Sequence, residues 1–249
     1  MLLQVSGVRV KLQQQLMRYT TTSGGPYCLI EQAPAAPLPP PSGVSAVIGP
    51  VFSELRWTWQ DGSVQQLLRL DAAHDDVFSI THTVNTIEKG SEMVWRVVSD
   101  LASNAELFTD DSGLEMHLRV PEPTLPLSGR YHALVQSAYI QDESTDRQLS
   151  VLVTHTMGVA SLAAGELEVM FLRHLTDNST DDQGPWPLQE SVPFSVTTSV
   201  FISQHKLPPP RLPRALQQEH PLVVAYNDGQ PLVQPLSTSN TKTVDRHKC

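Results

Sequence analysis

Arg147–Thr156 reads R-Q-L-S-V-L-V-T-H-T, with Leu149, Val151 and Val153 at every second position. A period of two places the three on one face of a half-buried strand. Glu166–Phe171, E-L-E-V-M-F, has the same alternation. It predicts Glu166 and Glu168 outward, with the apolar residues turned to a core. Outward from these two stretches, similar runs rich in β-branched and aromatic residues recur, separated by Gly, Asp, Ser and Pro. They are Val8–Tyr19, Phe52–Trp59, Val64–Leu70, Val77–Thr86, Met93–Val98, Leu114–Val120, His132–Ile140, Leu149–Thr156, Glu166–Leu172 and Val192–Ile202. Gln60-Asp61-Gly62-Ser63 and Asp110-Asp111-Ser112-Gly113 have the composition of hairpin loops. Helical periodicity is almost absent. The expected fold is all-β, an antiparallel β-sandwich.

Two proline-rich stretches divide the chain. Ala33–Gly43 (A-P-A-A-P-L-P-P-P-S-G) is expected to be an extended connector, since proline cannot donate within a sheet centre. Leu207–Pro213 makes a second, followed by a strand candidate at Leu222–Tyr226 and a Ser/Thr/Asn-rich tail from Gln234. The expected organisation is leading strands and loop over 1–32, connector over 33–43, main sandwich over 44–205, and connector, possible strand and tail over 206–249.

Composition narrows the function classes. The 249 residues are long enough for a core without metal or disulfide staples. Seventeen Lys+Arg against 26 Asp+Glu give a net charge of −9, which argues against nucleic acid as main partner. A membrane-spanning helix is not expected, because the longest uncharged run, Gln32 to Ser53, holds prolines at 34, 37, 39, 40, 41 and 50. A secretory leader is not expected at Met1-Leu2-Leu3-Gln4, which has no basic flank and no apolar stretch. Cys28 and Cys249 provide neither a disulfide framework nor a zinc knuckle.

Local spacing supplies no convergent active site. The histidines form no H-x-H or H-E-x-x-H ligand pair, and His82, His132 and His155 read as hydrogen-bonded strand histidines. Asp75-Asp76, Asp110-Asp111 and Asp181-Asp182 read as turn-forming or solvated pairs, since neighbours on one loop point apart. Asn178-Ser179-Thr180 matches the N-glycosylation acceptor and suggests a surface loop in a secretory-pathway protein. Tyr27, between Gly24-Gly25-Pro26 and Cys28-Leu29-Ile30, reads as a tyrosine closing a turn where a loop enters a strand.

Four blocks resemble a known family. Leu107–Met116 (L-F-T-D-D-S-G-L-E-M) resembles the F-Y-T-D-x-N-G-x-x-x block of family 38 glycoside hydrolases, the zinc-dependent α-mannosidases. Tyr131–Asp142 (Y-H-A-L-V-Q-S-A-Y-I-Q-D) is similar to Y-Y-P-V-x-x-x-x-Y-I-x-D, and Leu149–Ala164 to L-T-V-L-T-D-R-S-Q-G-x-S-S-L. Gly165–Met170 followed by Arg173-His174-Leu175 resembles G-x-L-E-V-M-x-x-R-R-L. Upstream, Val10–Tyr19 and Gly24–Leu29 resemble the family's strand and its S-G-A-Y-x-F loop, so roughly residues 8 to 205 are covered.

This resemblance implies the C-terminal β-sandwich segment of a much larger lysosomal-type α-mannosidase, acting on terminal α-D-mannosyl residues of glycans. It implies a retaining mechanism whose aspartate nucleophile and zinc ligands lie in N-terminal α/β and helical regions outside these residues. The fragment alone is then expected to be inactive, with no catalytic or metal-ligating residue of its own. By resemblance Tyr27 becomes a substrate-binding candidate, its phenol offered to a sugar hydroxyl, beside the turn-closing reading. The Arg173–Gly184 loop departs from the family's R-R-L-x-x-D-D-x-R-G: His174 replaces the second arginine, and Gln183 or a gap stands where another is expected. The alternative is a non-catalytic carbohydrate-binding or interaction sandwich left after loss of the catalytic domain. Localisation in a lysosome or vacuole, with a glycan at Asn178, is implied for the full-length protein.

Overall fold

The computed structural model describes residues 8–23, 29–59, 62–72, 77–111, 115–175 and 193–204, the backbone of 2–5, and short strands at 225–227 and 230–232. Every strand pairing is antiparallel. One sheet has nine strands in the order β11-β10-β13-β14-β17-β8-β7-β6-β5. These are β5 (Gly43–Ile48), β6 (Phe52–Trp59), β7 (Val64–Asp71), β8 (Val77–Val84), β10 (Leu107–Asp111), β11 (Glu115–Arg119), β13 (Ser137–Asp142), β14 (Arg147–Val153) and β17 (Phe194–Ser203). The second sheet runs β1-β2-β9-β16-β15-β12: β1 (Leu2–Val5), β2 (Val8–Ser23), β9 (Ser91–Ser99), β16 (Glu166–His174), β15 (Met157–Ala160) and β12 (His132–Leu134). Two short strands, β3 (Ile30–Glu31) and β4 (Ala36–Pro37), pair with β2. A small separate hairpin joins β18 (Ala225–Asn227) to β19 (Gln230–Leu232).

The expected sandwich is therefore the observed one. Its core forms where the inward halves of the alternating patterns meet. Val10, Leu16, Trp95, Leu167 and Val169 of the second sheet pack against Ile80, Ile140, Leu149, Val151 and Val200 of the first. Removing this apolar surface from water is the main favourable term in joining the sheets. The 33–43 segment runs along the open edge, pairing Ala36–Pro37 with Arg18 and Met17 and then passing to β5.

Several local expectations are corrected. His132–Ile140, expected as one strand, is two strands in opposite sheets. The break falls where the Asp110 carboxylate accepts the backbone N–H groups of Val135, Gln136 and Ser137 at 3.0–3.2 Å. Asp110 is thus a buried acceptor in a strand, and not a solvated turn residue. Leu149–Thr156 likewise ends at Val153, and β15 begins at Met157. Because β12 pairs β15 while β13 pairs β14, this region is one long hairpin bent from one sheet into the other. Asp142 closes its far end by accepting from Ser144 N, Ser144 Oγ and Thr145 N, which holds its carboxyl well below the usual range.

Glu168 is also corrected: it is fully buried. His82 is buried in the core, yet among the described residues neither ring nitrogen has a hydrogen-bond partner; the ring stacks on Phe171 at 4.6 Å instead. β5 escaped the sequence reading because all six of its residues are exposed, so no alternation marks it. Asp75-Asp76 and Asp181-Asp182 lie outside the described residues, as do Cys28 and Cys249.

Candidate functional site

The outward face of the second sheet holds two of the four buried carboxylates among the described residues, Glu92 and Glu168. β9 and β16 place opposite charges directly across from one another, Arg96 opposite Glu168 and Glu92 opposite Arg173. Arg96 Nη2 meets Glu168 Oε2 at 2.5 Å, and Arg96 Nε lies 3.3 Å from Glu166 Oε1. Arg173 grips Glu92 with two bonds, Nε to Oε2 at 2.6 Å and Nη2 to Oε1 at 2.9 Å. That planar fork suits a carboxylate better than an ammonium would.

Glu168 also receives two phenols. Tyr19 of β2 donates to Oε1 at 2.7 Å, and Tyr131 donates a short bond to the same oxygen. Burial and the neighbouring Glu168 charge push both tyrosines well above their ordinary values, so they remain neutral donors. Tyr131 reaches this position by lying over Gly158, where a Cβ would come within 3.2 Å of its ring. Burial raises Glu166, with Arg96 opposing and Glu168 adding to the rise.

Chemically this is a clamp. Both oxygens of Glu168 are occupied by donors, which leaves it poorly placed to act as a base. Glu166 and Glu168 share Arg96 on one strand, whereas glycosidic cleavage needs carboxylates facing one another across a substrate. Among the described residues no three His, Cys, Asp or Glu side chains gather to hold a metal ion.

Above the clamp, a cleft of about 480 Å3 is lined by Leu29, Tyr131, Met157, Met170, Arg173 and Phe194, among others. β2 and β16 lie on either side of β9 and run parallel to each other, with Thr20 and His174 both opposite Ser91. The stretch holding Tyr27 follows β2, and the stretch holding Asn178 follows β16, so both leave from the same end of the sheet. Tyr27, Asn178 and Gln183 themselves lie outside the described residues. Arg173, the first of the expected arginine pair, is bound to Glu92, and His174 bonds the carbonyl oxygen of Ile87 through Nδ1 at 3.0 Å.

Residues 4–183 match the Glycosyl hydrolases family 38 C-terminal domain. The chain belongs to that family. This family 38 segment is 29% identical over 200 residues to "Lysosomal alpha-mannosidase" of Dictyostelium discoideum, covering 75% of this chain and 20% of that protein. It is 30% identical over 235 residues to "Alpha-mannosidase" of Canavalia ensiformis, covering 81% of this chain and 23% of that one. A solved α-mannosidase from Enterococcus faecalis shares the fold at a TM-score of 0.59 and 11% identity, covering 86% of this chain and 28% of its own. The family 38 segment thus spans about a fifth of the length of these curated relatives. Among the described residues no helix is long and apolar enough to cross a membrane.

The resemblance blocks acquire physical roles. Asp110 anchors the bent hairpin, Asp142 closes it, and Glu168 with Tyr131 forms the clamp. Periodicity missed Glu168 and Tyr19 because it assigns every second residue of a strand to solvent. The signal available was Arg96 on a neighbouring strand, and only strand register brings the two together.

Proposed function

We propose that this chain is the C-terminal β-sandwich of an α-mannosidase that removes terminal α-D-mannosyl residues from glycans in the complete enzyme. The observation that carries this reading is the match of residues 4–183 to the family 38 C-terminal domain, supported by the α-mannosidase relatives. The sandwich packs against the rest of the enzyme, which supplies the zinc ligands and the nucleophile of a retaining reaction. The cleft edged by Tyr131 and Arg173 faces the substrate side, and Tyr27 offers its phenol to a mannose hydroxyl. The complete protein travels through the secretory pathway to a lysosome or vacuole and carries a glycan on Asn178.

Native protein containing this chain should release mannose from an aryl α-mannoside in a zinc-dependent reaction, and the 249 residues alone should not. Turnover by the isolated chain would sink the assignment of the catalytic groups elsewhere. Native protein that binds mannosides without cleaving them would instead favour a carbohydrate-binding sandwich. Peptide mapping before and after glycosidase treatment reads Asn178 directly; an unmodified Asn178 peptide in otherwise glycosylated protein removes that site.

A further inference from the structure

On the opposite, inward face of the second sheet a cavity of about 730 Å3 opens between the two sheets. That volume lies within the roughly 300–1,000 Å3 typical of small-molecule sites. Its walls include Trp57, Trp59 and Trp95, with Leu16, Leu68 and Phe78, and among the described residues no acidic, basic or histidine side chain lines it. Trp59 lies deeper than its place on an outer strand suggests: it is buried, and its Nε1 donates to the Pro39 carbonyl at 2.7 Å.

The interior polar groups are already committed to one another. Gln14 and Gln66 exchange two side-chain amide bonds at 2.9 and 2.7 Å, and Trp95 Nε1 donates to Gln14 Oε1 at 2.9 Å. One side is closed by Pro37, Pro39, Pro40 and Pro41, which have no N–H to offer. That side is pinned by Leu38 N to Leu16 O at 2.9 Å and Ser42 N to Thr58 O at 2.8 Å.

We infer that this cavity is a binding site for a neutral, apolar, ring-bearing small molecule. Three indoles provide flat apolar surface for such a ring. A sugar would bring hydroxyls, and a peptide strand backbone amides, against mostly apolar walls where Gln14 and Gln66 already bond one another, and much of either would lose its water contacts uncompensated. The site is separate from the cleft above the Glu168 clamp and does not depend on the mannosidase reading.

The test uses native protein containing this chain and N-phenyl-1-naphthylamine, a neutral two-ring probe, read by the rise in the probe's own fluorescence. Saturable one-to-one binding is expected. Leu68→Trp, which fills the cavity, should weaken it at least tenfold. Leu55→Trp, at a half-exposed wall position, should do the same with little risk to folding. The sulfonated analogue should bind at least tenfold more weakly, and methyl α-mannoside should not displace the probe. Non-saturable uptake, unchanged affinity in a cooperatively folded Leu55→Trp chain, equal affinity for the sulfonate, or displacement by the mannoside would each overturn the proposal.

Discussion

Tyr19 and Glu168 stand 149 positions apart in sequence, and the Tyr19 hydroxyl donates to Glu168 Oε1 at 2.7 Å across the intervening strand β9. This bond ties the strand that leads towards Tyr27 to the strand that leads towards Asn178, with Arg96 of β9 holding the other carboxylate oxygen. The clamp therefore fixes the positions of β2 and β16 relative to each other across β9.

Truncating the acid should cost far more than trimming a phenol. Glu168→Ala leaves Arg96 without its buried partner and both hydroxyls without an acceptor, a loss of about 3–5 kcal/mol. Tyr19→Phe removes one bond of several and should cost about 1 kcal/mol. Urea unfolding of both variants checks this, and equal losses would contradict a charge-centred clamp.

His82, buried in the core, should make the domain acid-sensitive. Burial lowers His82 to about 3, below the ordinary 6.5, so the folded state favours the neutral ring. Its contribution is fully present above pH 6.5 and is lost as pH falls towards the folded value. By pH 4.5 the loss is on the order of 3 kcal/mol, since each unit between the two values is worth about 1.4 kcal/mol. His82→Leu should flatten the unfolding free energy over pH 7 to 4.5; an unchanged slope would assign the acid sensitivity to other groups.

Gly165 occupies a place no other residue fits. Its φ is +74°, and a Cβ there would stand 2.5 Å from the Ser99 carbonyl oxygen and 2.8 Å from that of Leu101. Gly165→Ala should destabilise by about 3 kcal/mol or more, because strain and a backbone clash act together. Gly43→Ala, whose Cβ would meet only Thr58 at 4.0 Å, is the control and should shift stability by less than about 0.5 kcal/mol. Thermal melts that fail to separate the pair would argue against this geometry.

Asp110 is expected to hold the corner of the bent hairpin. Asp110→Ala leaves the amides of Val135, Gln136 and Ser137 without the acceptor that gathers them, at a cost of about 2–4 kcal/mol. Amide exchange at Gln136 and Ser137 should accelerate before global unfolding. Exchange that quickens only with global unfolding would show that the corner is held by packing alone.

The period of two in stretches such as Leu149–Val153 pointed to a β-sandwich, although that strand proves to be buried on both faces rather than one, Ser150 and Leu152 included. The ordered blocks around Asp110, Asp142 and Glu168 carried the family, since each is a local string. What they do was not local. Periodicity turns Glu168 towards solvent, and it is towards solvent relative to the core; but Tyr19, Tyr131 and Arg96 meet it there and exclude water. His132–Ile140 reads as one apolar run, yet an acceptor more than twenty residues earlier divides it between two sheets. Burial of a charge, the turning of a strand and the closing of a cavity by Pro37–Pro41 all depend on groups distant in sequence. A window along the chain registers side-chain polarity, and tertiary structure alone decides which polar groups find partners when water is removed.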